Sequence, residues 1–159
     1  MNQLDYDVVV QGFMRKMRTL TQYFAHDWQV TDDETNVNRG GVYWVITRPG
    51  AVPINPWPGV QNSKTVYSVD WNIVFDAQVK YASYKESWPK FAEMRDAIIN
   101  LYVLRLDKSL PDANGNPIKG IWDISITAPD PPGQKPPAGT PTWVGQQLIA
   151  VITQRIDLR

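Results

Sequence analysis

The chain contains no cysteine and a single histidine, His26. That excludes a disulfide framework, thiolate chemistry and the zinc sites that need several such ligands. Charge of one sign is also missing: 16 basic and 16 acidic side chains give a formal net charge of zero, whereas a protein dedicated to nucleic acid carries a basic excess. No apolar run approaches the ~20 residues that cross a bilayer. The opening residues, MNQLDYDVVV, have neither the basic start nor the continuous apolar stretch of a secretory signal. These absences predict a soluble protein made in the cytoplasm, with no membrane partner. No glycine-rich phosphate loop opens a helix, and no serine occupies a G-x-S-x-G elbow. Carboxylates are scattered through loops and polar strand faces, so the expectation is no metal, no cofactor and no enzyme, with dispersed-carboxylate catalysis as a distant alternative.

What is present is apolar and aromatic. At 159 residues and 43% hydrophobic side chains, the chain can bury about 70% of its unfolded surface as one domain spanning 1–159. Its centre is Tyr67 to Tyr81, where every odd position is apolar or aromatic and the even positions are polar except Val74. Side chains alternate between the faces of a strand, so this run has one dry and one wet face; a helical period would spread its aromatics around the whole cylinder. At ~3.3 Å per residue it spans roughly 50 Å, far beyond an ordinary strand.

Two helices are expected. Val9, Phe13, Met17, Leu20 and Phe24 recur at steps of three and four within Asn2–Ala25. The Arg15, Lys16 and Arg18 cluster reads as a solvated face rather than a phosphate contact. The second helix covers Ser83–Leu106, with Ser87 as N-cap, Pro89 in the first turn, and Phe91, Met94, Ile98 and Leu101 aimed at the dry face of the sheet.

Further strands are expected at Trp28–Val30, Val42–Thr47, Ile118–Ala128 and Thr142–Leu158. Trp122, Ile124 and Ile126 face one way in the third, and Val144, Leu148, Ala150, Ile152, Ile156 and Leu158 point inward in the last. Residues 31–41 alternate acidic and amide side chains but lack the sixth-position glycine and closing glutamate of a calcium hand, so they read as a polar loop. Residues 111–117 form a turn cluster around Asn114-Gly115. Two proline-rich stretches, 51–64 and 129–141, read as stiff loops rather than strands, because proline donates no ladder hydrogen bond. Trp57 in the first either meets a partner or folds back over the sheet edge. The candidate interaction residues are Trp57, Pro58, Pro131, Pro132, Lys135, Pro136 and Pro137.

The fold class that follows is α+β: a single domain with a mostly antiparallel sheet of four or slightly more strands, two helices packed on one face, and long proline-rich loops. A reading from another class, stacking of single-stranded bases on Trp44, Trp71, Trp122 and Trp143, is weakened by the neutral charge and by Trp71 and Trp122 lying on apolar strand faces.

The strand VYSVDWNIVFDAQVKY, the helix YKESWPKFAEMRDAIINLYV that follows it and the closing strand WVGQQLIAVITQRIDL resemble the tail terminator, or tail completion, proteins of long-tailed phages. The likeness covers nearly the whole chain and lies in the order of elements, not in an invariant motif. It implies a structural virion protein of the tail and neck: a homo-oligomeric ring, usually a hexamer, that caps the major tail tube protein and meets the head-completion connector while DNA passes through its lumen. Another small head–tail joining or tail-tube subunit is the nearest alternative.

Overall fold

A computed structural model describes residues 5–20, 28–31, 43–57, 65–81, 83–104, 108–135 and 142–158. His26, the polar loop up to residue 41, Pro58, Pro136 and Pro137 lie outside them. Strands β1 (Trp28–Thr31), β2 (Tyr43–Pro49), β4 (Val66–Tyr81), β7 (Thr142–Asp157) and β5 (Ile121–Thr127) stand in the sheet in the order β1-β2-β4-β7-β5, with short β3 (Ile54–Pro56) on β4 and short β6 (Gly133–Lys135) on β7. Every pairing is antiparallel except β1 with β2. The architecture is the expected α+β class.

The frame of the sheet is the β4–β7 ribbon, two strands of 16 residues each paired from Val66↔Asp157 to Tyr81↔Thr142. The alternation seen in the sequence is what sets this register, since a slip of one residue would turn the whole dry face to solvent. Val69, Trp71, Ile73, Phe75, Ala77 and Val79 are buried on β4, and Val144, Leu148, Ala150, Ile152 and Ile156 on β7. Gln146 and Gln154 share that buried row. Leu158, expected inward, is 54% exposed because the ribbon has ended by then. On the wet face Asp76 is buried, with Arg48 reaching it at 3.3 Å.

Helix α1 (Tyr6–Arg18) starts where the Asp5 carboxylate accepts the Val8 N–H. Phe13 stacks on Tyr102 at 4.5 Å between centroids and tilts against Phe75 at 5.5 Å, which joins α1, the sheet and the second helical segment in one contact. Of the Arg15, Lys16 and Arg18 cluster, Arg18 is exposed as a solvated face requires, Arg15 is half-buried and Lys16 is buried. Lys16 is only 8% exposed and donates to the Ser109 carbonyl at 2.6 Å, while Arg15 and Arg18 donate to the carbonyls of Pro111 and Val30. Their long stems lie along apolar surface and their charges satisfy backbone acceptors of neighbouring segments, which a helical wheel cannot foresee.

Helix α2 (Tyr84–Ile99) is capped by Ser83, whose side chain accepts the Glu86 N–H; the expected cap, Ser87, is buried inside the helix and donates to the Ser83 carbonyl. Pro89 consequently sits within the helix, past its first turn. Phe91, Met94 and Ile98 pack into the core as expected, and the helix relaxes into one π-helical turn, Asn100–Leu104. That wider turn holds Tyr102, fully buried, with its hydroxyl donated to the Phe13 carbonyl.

Burial pushes the Tyr102 phenol well above its ordinary value of 10.0, against a smaller pull from the Met17 backbone. The unfolded chain ionises this group near pH 10 and the folded chain only well above it, so its contribution is complete below about pH 10 and drains as pH rises further. Urea midpoints should therefore fall steeply above about pH 10. Tyr102→Phe should lose ~1 kcal/mol at neutral pH with the hydrogen bond yet fall less steeply in alkali; an unchanged alkaline slope would remove Tyr102 from the explanation.

Both proline-rich stretches enter the sheet, contrary to expectation. Along residues 50–57 the donors to the ladder include Gly50 and Trp57, while Asn72 N–H donates to the Ala51 carbonyl and Asp70 N–H to the Pro53 carbonyl, so Pro53 serves as an acceptor and its missing N–H costs nothing there. In the second stretch, Gly133–Lys135 is the proline-free piece between Pro132 and Pro136, and it pairs with Gly145–Trp143.

Candidate interaction surface

The aromatic side chains at one end of the ribbon define the candidate surface. Trp57 donates its N–H to the Val66 carbonyl at 3.1 Å, which extends the β3–β4 ladder and sets its side chain on the polar face of β4. Arg155, opposite Ser68, lies on the same face with its guanidinium carbon 5.4 Å from the Trp57 ring centre. Trp122 completes the group, edge-on to Trp57 at 5.2 Å and 83°.

Trp122 was expected in the core with Ile124. It is instead 65% exposed, while Ile124 is buried. The cause is a β-bulge: Ile121 faces Gln154 and Asp123 faces the very next partner residue, Thr153, so Trp122 is the extra residue and alternation breaks there. The bulge is anchored from below. Gly120, at φ +81°, accepts the Arg155 N–H at 2.8 Å. On the dry side Gln154 accepts the Trp71 indole N–H at 2.8 Å and donates to the Lys119 carbonyl at 2.8 Å. Trp71 thus serves the core as expected, and Gln154 couples it to the turn that presents Trp122.

The resulting notch has two indoles at right angles and one guanidinium. Among the described residues Arg155 enters no ion pair; of the nearby carboxylates, Asp70 accepts the Thr153 hydroxyl and Asp123 faces Lys108 at 3.6 Å. Five large hydrophobics are exposed among the described residues, and three, Ile54, Trp122 and Leu158, lie at this end by register, Trp122 on the polar face and Ile54 and Leu158 at positions of the opposite face. Exposed apolar surface is thus concentrated at one end of the sheet, on both of its faces, and not scattered evenly.

Of the prolines singled out from sequence, the two within the described residues, Pro131 and Pro132, lie elsewhere. Ala128 to Pro131 is exposed beyond the far end of β5, pinned where Gln146 donates to the Asp130 carbonyl at 2.7 Å. Pro131 and Pro132 belong to this segment, and the Lys135 backbone lies in β6. From Gln154 beside Trp122 to Gln146 beside Asp130 is eight residues along β7, roughly 25 Å. Trp57 and the Pro129, Pro131 and Pro132 segment are therefore separate surfaces at opposite ends of the sheet. Sequence reasoning missed Trp122 and Arg155 as site residues; the glycine just before β5 is the one local signal of the irregularity. Trp44 and Trp143 stand on β2 and β7. No helix of the described residues is long and apolar enough to cross a membrane. Neither a family model nor any curated protein matches this sequence.

Proposed function

We propose that this chain is a structural virion subunit of the tail-terminator kind, which caps the tail tube of a long-tailed phage as a homo-oligomeric ring and takes part in joining tail to head. The observation that carries the reading is the fully paired β4–β7 ribbon with exposed apolar side chains collected at one end. A ribbon this long, flanked at one end by the exposed Ile54, Trp122 and Leu158, suits contact with copies of the same chain or with the tube, and acts by shape rather than by chemistry. The ring would be the hexamer implied by the resemblance, with the head-completion connector on its other side and DNA passing without specific recognition.

Light scattering on the purified protein should give a discrete assembly of several subunits. Added to polymerising tail tube protein, it should cap the tubes and stop their growth. A monomer that leaves tube growth untouched would end this reading.

A further inference from the structure

The notch at Trp57, Trp122 and Arg155 and the segment Ala128–Pro132 are complementary in chemistry, yet one chain cannot bring them together. The segment reads Ala-Pro-Asp-Pro-Pro. Its three prolines each fix their own φ, and the backbone bends at Pro129 and Asp130, so the segment is a stiff, preformed turn that can dock on aromatic surfaces without a large ordering cost. Among the described residues the Asp130 carboxylate, like the Arg155 guanidinium, enters no ion pair. Asp130 and Pro131 are exposed, as is Trp122.

We infer that the notch formed by Trp57, Trp122 and Arg155 receives the Ala128–Pro132 segment of a second copy of this chain, with Asp130 on Arg155 and the flanking proline rings on the two indoles. The two surfaces lie at opposite ends of the sheet, so the contact is head-to-tail. A head-to-tail contact leaves one unfilled notch and one unfilled segment at each step, until rotation closes the chain into a ring. The perpendicular indoles give a proline ring one face to lie on and one edge to abut, and the guanidinium beside them fixes which residue enters. The inference rests on the ring reading and names the contact that would build it.

Charge reversal provides the test, read by light scattering at matched concentration with circular dichroism as a check on folding. Arg155→Glu and Asp130→Lys each change an exposed side chain, so both variants should fold and each should weaken assembly at least ~10-fold. Trp122→Ala should do the same. The double variant Arg155→Glu/Asp130→Lys should recover assembly, because the pair is restored with its signs exchanged. A wild-type oligomer that none of the single changes weakens would overturn this contact and leave the ring standing; a wild-type monomer would overturn both. Quenching of tryptophan fluorescence by a single-stranded oligothymidylate, lost in Trp122→Ala while the wild-type mass stays monomeric, would assign the notch to nucleic acid instead and overturn the inference.

Discussion

Phe13→Ala is expected to lower stability by ~3–5 kcal/mol, as removal of a buried phenylalanine does when the cavity cannot collapse. Phe13 is fully buried, and the ring is shared by three elements: Phe75 on β4 tilts against it, Tyr102 in the π-helical turn stacks on it, and its own helix carries it. Collapse is resisted because Phe75 is locked in the β4–β7 register and Tyr102 is tied by its hydroxyl to the Phe13 carbonyl. In a chain of this size the loss corresponds to a melting temperature roughly 10 °C lower. Thermal denaturation followed by circular dichroism measures it, and a loss below ~1 kcal/mol would mean that the three elements are not joined through this ring.

The second large effect is expected at Gly120. A Cβ built there would lie 2.2 Å from the Arg155 carbonyl oxygen, a backbone atom near the C-terminal end of β7 that is held by the sheet. The φ of +81° adds strain for any L side chain, ~1–2 kcal/mol for the left-handed conformation alone. Gly120→Ala should therefore destabilise the fold by at least ~3 kcal/mol or push the start of β5 away from β7. The two results separate by fluorescence: the second would free Trp122 from Trp57 and shift the emission even where the protein stays folded. By contrast Gly115, at φ +83° with open space around it, should tolerate alanine at the cost of backbone strain only. Equal stability of the two variants would refute the close approach of Gly120 to β7.

The period-two run around Trp71 and Phe75 identified the centre of the sheet because burial of that face leaves no other register. The helical stripe of Val9, Phe13, Met17 and Leu20 named the buried face of α1 for a similar reason. Lys16 was misread because charge on a helix surface says nothing about the neighbour that arrives there, in this case the Ser109 carbonyl. Ser87 was misread as a cap because two serines stand four residues apart and composition does not say which of them has extended backbone. The proline stretches were misread because a rule about missing donors does not tell which edge needs donors.

Periodicity along the chain was sufficient to place the long strands, the two helices and the α+β class, since those depend on which side chains avoid water at regular intervals. The notch was beyond its reach. Trp122 turns outward through one inserted residue opposite β7, Trp57 arrives from a proline arm more than sixty positions earlier, and Arg155 comes from the closing strand. Contacts of that kind are made between segments and not within them, so no local pattern carries them and the packed sheet had to bring them together.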